Sequence, residues 1–262
     1  MRTSIIQFAP VFGDIEANIS KIGKFIKKIK ATDLIVLPEL ASTGYKFEDR
    51  NEAIVLSERA ENSRYLEFLA GIAAEKSCYI ISGFNEREGE KLYNSSVLMG
   101  PDGIIGIYRK LHLFWDEKKI FEPGNLGLPV FDTGIGKIGI LICFDWMFPE
   151  AWRVLALKGV HFIAHPANLV LPYCQSVTPS YSLVNRIYII TANRLGTEEH
   201  LTFTGNSVIS NPKGKVIAYG SVDKEEVITA DIDLKLAENK MITPENDAFK
   251  DRRSDVYGDL SI

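Results

Sequence analysis

The chain has 262 residues, 46% of them hydrophobic, with 30 Lys and Arg against 34 Asp and Glu and a formal net charge of −4. That is enough apolar material for one large core, and there is no global positive field to draw in nucleic acid. No run of about 18 apolar residues occurs, which excludes a membrane-spanning helix from the expectations.

Met1-Arg2-Thr3-Ser4 leads into a strand-like segment and not a signal peptide, so the reading is of a cytoplasmic protein. Length alone would also accommodate two small domains; one domain over 1–262 is the expectation. The three cysteines, Cys78, Cys143 and Cys174, are few and odd in number and form no disulfide framework. With no CxxC pair and no HExxH motif, no metal is expected.

In chain order, residues 4–8 read as a strand and 14–30 as an amphipathic helix, with Ile19, Ile22, Ile26 and Ile29 on one face and lysines on the other. A membrane-surface helix shares this pattern, but the apolar face is needed to cover a sheet. Residues 34–37 form a second strand, as expected of an α/β fold. Three strand-like runs follow at 79–83, 93–99 and 104–108, the last two separated by the turn Pro101-Asp102-Gly103. A similar hairpin joins 207–210 to 216–218 through Asn211-Pro212-Lys213-Gly214. Hairpins and helices in both halves imply two mixed sheets packed together, with helices outside.

Three segments carry chemistry. Cys143 ends the apolar run 138–142, and Phe144-Asp145-Trp146-Met147-Phe148 separates it from Pro149, a favoured first residue of a helix. Such a strand, turn, helix arrangement presents a side chain beside free backbone N–H groups and the positive end of a helix dipole. The thiol pKa is therefore expected to be lowered, and the amide after it can hold an oxyanion. A buried, inert cysteine is the plain alternative. Glu39 follows Leu34-Ile35-Val36-Leu37-Pro38, at a strand end where open sheets bind ligands. Desolvation there suits a carboxylate to general-base work near neutral pH, the alternative being a solvated loop acid. In Tyr108-Arg109-Lys110-Leu111-His112-Leu113, alternation puts Tyr108, Lys110 and His112 on one face, where Lys110 could stabilise a thiolate and charge on a substrate. Most lysines are merely surface charges. His112 and His165 remain competing bases for a cysteine nucleophile.

Leu37-Pro38-Glu39, Tyr108-Arg109-Lys110-Leu111-His112, Ile142-Cys143-Phe144-Asp145 and Phe148-Pro149-Glu150, in that order and spacing, resemble the nitrilase superfamily of carbon-nitrogen hydrolases. Tyr93-Asn94-Ser95, Phe121-Glu122-Pro123-Gly124, Asn193-Arg194 and Asp251-Arg252-Arg253 extend the likeness over nearly the whole chain. The resemblance implies a four-layer α-β-β-α sandwich, a homodimer or higher homo-oligomer with the tail at about 244–262 in the interface, and no cofactor. It also implies a Glu-Lys-Cys triad on Glu39, Lys110 and Cys143, with Glu117 as a second glutamate that orients substrate. The expected reaction is hydrolysis of a small neutral amide or carbamoyl compound through a thioester, with nitrile hydrolysis or a catalytically inert scaffold as alternatives. The turn Asp145-Trp146-Met147-Phe148 lacks the arginine that carboxylate-binding members often place there, which weakens an omega-amidase reading. Phe114, Phe144, Trp146, Asn168 and Tyr45 are the expected pocket residues, although each aromatic could equally be core packing.

Overall fold

A computed structural model describes residues 1–258. In chain order the elements are β1 (Arg2–Gln7), α1 (Ile15–Lys28), β2 (Leu34–Val36), α2 (Arg50–Val55), α3 (Arg64–Lys76), β3 (Tyr79–Glu88), β4 (Lys91–Gly100) and β5 (Gly103–Arg109). Then come α4 (Glu117–Ile120), β6 (Phe131–Thr133), β7 (Gly136–Ile140), α5 (Pro149–Leu157), β8 (Phe162–Ala167), α6 (Cys174–Asn185) and β9 (Tyr188–Asn193). The chain continues through β10 (Leu195–Glu198), β11 (Leu201–Thr204), β12 (Val208–Ser210), β13 (Val216–Tyr219), β14 (Glu226–Asp231) and α7 (Lys235–Glu238).

Two six-stranded mixed sheets result, ordered β14-β1-β2-β3-β4-β5 and β13-β12-β9-β8-β7-β6, while β10 and β11 form a separate hairpin. Strands β1, β2 and β3 are parallel, as are β7, β8 and β9, and the outer strands are antiparallel. The alternation of side chains decides the layers. On β2, Leu34 and Val36 join Ile138, Ile140, Phe162 and Ile190 in the core between the sheets. Ile35 faces the other way and packs with Ile19, Ile22 and Ile26 of α1 and with Leu66 and Leu69 of α3. On the far side, Leu155 of α5 lies over Gly139, and Trp152 stacks on Tyr181 of α6 at 5.3 Å. The order is therefore helices, sheet, sheet, helices, the expected four-layer sandwich.

The helix over 14–30 starts one residue later than expected because Asp14 is its cap, its carboxylate accepting from Ala17 N–H at 2.9 Å. Strand β3 runs beyond residue 83 to Glu88, paired with β4 throughout. Its polar second half resembles a loop in sequence, but Glu86 is buried against Arg109. The expected C-terminal tail lies in part outside the described residues, at 259–262.

Candidate active site

Four strand ends converge. β2 and β5 run the same way and deliver Glu39 and Lys110, while the neighbouring parallel strands β7 and β8 deliver Cys143 and Asn168. Glu39 is held by a tight wrap of residues 38–41 over β3, in which Gly83 N–H donates to Pro38 O at 3.1 Å and Ala41 N–H to Gly83 O at 3.0 Å. The approach requires glycine, since a Cβ at Gly83 would stand 2.4 Å from Leu40 N and 2.6 Å from Glu39 Cα. Leu40 itself takes a left-handed φ of 47°.

Cys143 opens a 3-10 turn, Cys143–Met147, that leads to α5 at Pro149. Its φ is 42°, a conformation that side-chain-bearing residues rarely adopt, so the turn must be locked from outside. Asp145 supplies the lock. Its buried carboxylate accepts from Ile142 N–H at 2.9 Å, Tyr108 OH at 2.7 Å and His112 N–H at 3.1 Å, with His112 Nδ1 at 2.7 Å. His112 stacks on Phe148 with ring centroids 3.6 Å apart. Sequence reasoning quoted Asp145 but gave it no role; an acid inside an apolar segment is the signal that could have found it.

The charged groups form one buried cluster. Lys110 Nζ donates to Glu39 Oε1 at 2.7 Å and to Glu117 Oε1 at 2.8 Å, with the lysine and Glu39 side chains fully buried. Asn94 Nδ2 donates to the same Glu39 oxygen at 2.7 Å, and Glu39 Oε2 has no partner among the described residues. Tyr45 OH donates to Glu117 Oε1 at 2.7 Å, and Phe114 N–H to Glu117 Oε2 at 3.2 Å. Glu198, which sequence reasoning missed, accepts from Tyr45 and Lys46 N–H at 2.9 Å each and is paired with Arg194. It comes from the β10–β11 hairpin, and no local pattern marks it.

Burial pulls against the Lys110 ammonium, but Glu117 and Glu39 outweigh it and hold its pKa above the ordinary lysine range. Burial likewise raises Glu117, opposed by Lys110 and reinforced by Glu39. The expectation of a lowered thiol pKa is overturned. Desolvation pushes the Cys143 thiol well up, Glu39 and Glu117 add to this, and Lys110 with the Asn168 backbone amide only partly oppose it. Desolvation is the largest of these, and with the two glutamates it outweighs Lys110, so the direction favours a protonated thiol, for which histidine would be the ordinary base.

Neither histidine fills that role by contact. His165 Nε2 donates to the Cys143 carbonyl at 2.9 Å and its Nδ1 lies 3.2 Å from the Thr191 hydroxyl, which uses both ring nitrogens in a neutral imidazole. Burial pushes its pKa down to about 4. His161 stands four positions earlier, a spacing that converges on a helix; along this extended segment its Nδ1 instead accepts Lys137 N–H at 2.9 Å. Among the described residues no group of three His, Cys, Asp or Glu could hold a metal.

Phe114, Phe144, Trp146 and Asn168 line a small cavity at Cys143. Tyr45 does not line it; it sits in the adjoining cleft with Glu117, Lys46 and the exposed Trp115, the two spaces meeting at Phe114 and Val170. A thiol, a carboxylate with a free oxygen, and an ammonium with one unused N–H can together perform acyl transfer. A family model described as carbon-nitrogen hydrolase matches residues 2–240. The chain belongs to that family, within the nitrilase superfamily. This carbon-nitrogen hydrolase is 46% identical over 259 residues to a nitrilase of Pyrococcus abyssi, covering 98% of this chain and 99% of that one. It is 30% identical to N-carbamoylputrescine amidase of Arabidopsis thaliana, over 97% of this chain and 93% of the relative. The crystal structure of a carbon-nitrogen hydrolase from Helicobacter pylori G27 superposes with a TM-score of 0.87 at 28% identity, covering 100% and 98% of the two chains.

Proposed function

We propose that the hydrolase cleaves the carbon-nitrogen bond of a small neutral amide or carbamoyl compound, with Cys143 as nucleophile, Glu39 as base and Lys110 as oxyanion partner. Glu39 Oε2 takes the proton from the thiol as Sγ bonds to the carbonyl carbon. Lys110 Nζ and the Phe144 N–H hold the negative oxygen. The tetrahedral adduct collapses with loss of ammonia or an amine, which carries away the proton Glu39 received, and leaves a thioester. Glu39 then deprotonates a water that attacks the thioester, returning the thiol and releasing the acid, while Glu117 orients substrate and water. The observation supporting this reading is that one buried cluster joins Glu39, Lys110 and Glu117 by contacts of 2.7 and 2.8 Å, and that the Cys143 thiol responds to all three charges.

A second reading, nitrile hydrolysis, is favoured by the name of the Pyrococcus abyssi relative. Thiolate addition to a nitrile, with proton transfer to the nitrogen, gives a thioimidate, and one further water converts it to the same thioester with loss of ammonia. Ammonia release over a panel of small amides, carbamoyl compounds and nitriles tests both readings. Activity on at least one is expected for the native chain and none for Cys143→Ala; release that survives the substitution would refute the mechanism.

We further propose a single domain that works as a homodimer. Val154, Leu157, Leu183 and Val184 of α5 and α6 leave apolar surface exposed, and Arg252 and Tyr257 of the C-terminal tail line the groove beside it. Action in the cytoplasm fits a reaction that needs a reduced thiol, and all three cysteines are free.

A further inference from the structure

Asn168 is 2% exposed, yet neither its Nδ2 nor its Oδ1 has a hydrogen-bond partner among the described residues. The side chain lines the cavity at Cys143, and the wall around it is Phe114, Phe144, Trp146, Leu169, Val170 and Leu171, whose one side-chain donor, the Trp146 indole N–H, is not bonded to Asn168. The backbone on either side is pinned, with Leu169 N–H donating to Asn193 Oδ1 at 2.9 Å and Arg194 N–H to Ala167 O at 3.2 Å. Asn193 is the contrast. It is equally buried, but its Nδ2 donates to Thr204 Oγ1 and Gly205 O and its Oδ1 accepts from Leu169. One amide is consumed by the fold, and its neighbour in space is left open toward the thiol.

A buried primary amide is costly unless it meets both a donor and an acceptor. We infer that Asn168 makes this site selective for primary carboxamides over nitriles, its Oδ1 accepting an N–H of the substrate's own amide. The inference rests on the Cys143 reading above and names the substrate class of that site. In the bound amide the carbonyl oxygen points to Lys110 and the Phe144 N–H; one of the nitrogen's two hydrogens can face the Glu39 and Glu117 carboxylates, and the other is left to find an acceptor on the apolar side of the cavity. Asn168 Oδ1 is that acceptor, and it can keep the bond as the nitrogen departs. A nitrile nitrogen accepts but cannot donate, so it leaves Oδ1 buried and unpaired. Sites built to hydrogen-bond a substrate discriminate against analogues that lack the group.

Acrylamide and acrylonitrile test this through a reaction distinct from hydrolysis, since both add a thiol across the same carbon-carbon double bond: the sulfur bonds to the β-carbon, and the thiol proton ends on the α-carbon, while ammonia release from each reagent is followed alongside as turnover. The rate of each addition at Cys143 is measured by peptide mass mapping in the native chain, in Asn168→Leu and in Asn168→Ala. The acrylamide-to-acrylonitrile rate ratio is expected to fall at least about tenfold in both variants, with the loss on the acrylamide arm. Comparing ratios removes the intrinsic reactivity of the two reagents. Thermal unfolding separates selectivity from structure: Asn168→Leu removes two unpaired polar atoms and is expected to keep or raise Tm, whereas a structural asparagine would lower it. An unchanged ratio, or a lowered Tm with equal losses on both reagents, would overturn the inference while leaving the Cys143 mechanism intact. Finding neither an adduct on Cys143 nor Cys143-dependent ammonia release with either reagent in the native chain would instead sink the Cys143 reading and take the inference with it.

Discussion

Arg109 and Lys110 are consecutive residues at the end of one strand, each a buried cation set between two glutamates, and they differ in what is left over. Arg109 is saturated: its guanidinium reaches both Glu86 oxygens at 2.6 and 2.8 Å, both Glu88 oxygens at 2.9 and 3.1 Å, and Asn125 Oδ1 at 2.8 Å, and it stacks over Tyr93 at 4.0 Å. Among the described residues Lys110 spends two of three N–H bonds, and its partner Glu39 keeps an oxygen without a partner. Alternation along the strand sends the two side chains to opposite faces, one into a closed brace and the other into a cluster with open valences. Burial and charge are common to both residues; unused hydrogen-bond capacity among the described residues is what sets Lys110 and Glu39 apart.

That contrast can be broken at its open end first. Glu39→Gln preserves shape and still accepts from Lys110 and Asn94, but it cannot take a proton. Turnover is expected to fall by about a thousandfold or more with Tm little changed, as read by ammonia release and thermal melting. Loss of stability in proportion to loss of activity would make Glu39 a structural residue like its counterpart Glu86. At the closed end, Arg109→Met strands the buried Glu86 carboxylate, and urea unfolding is expected to register a loss of about 3–5 kcal/mol. Turnover per folded molecule is expected to stay within about tenfold of native, since Arg109 contributes to the brace and not to the cluster.

A smaller effect comes from pH. His165 is held neutral with its pKa pushed down to about 4 by burial, against an ordinary value of 6.5. The unfolded chain therefore takes up the proton first as pH falls. The stability His165 contributes is complete above its unfolded pKa and is lost progressively as pH drops toward the folded one. Between pH 7 and pH 5 this amounts to about 2 kcal/mol. Urea unfolding of His165→Gln, whose amide can still donate to the Cys143 carbonyl, is expected to lose that part of the pH dependence. An unchanged slope would show that His165 binds protons equally in the folded and unfolded chain, with its pKa not lowered by burial.

The sandwich was legible because its cause is local. Ile19, Ile22 and Ile26 fix the covered face of α1, and Leu34-Ile35-Val36 has the apolar continuity of a strand buried on both sides. The meeting of Glu39, Lys110 and Cys143 was legible only through the resemblance, since no residue pattern within one segment reports that β2, β5 and β7 end at the same place. The thiol's direction was misread for a related reason. A turn before a helix suggests a lowered pKa, but the balance is set by Glu39 and Glu117, which are distant in sequence. Asp145 and Glu198 were missed because their partners, Tyr108 and His112 for one, Tyr45 and Arg194 for the other, are supplied by tertiary contact.

The most direct test of the central claim is a titration of activity against covalent modification of Cys143. The native enzyme is treated with limiting methyl vinyl sulfone, a thiol-reactive alkene that is neither amide nor nitrile, adducts are located by peptide mass mapping, and residual hydrolysis of the best amide or nitrile substrate is measured on the same samples. Activity is expected to fall in a straight line to zero at one adduct per chain, all of it on Cys143, with Cys78 and Cys174 unmodified in their buried sites. Full modification of Cys143 with activity retained, or inactivation that follows adducts on Cys174, would contradict the account.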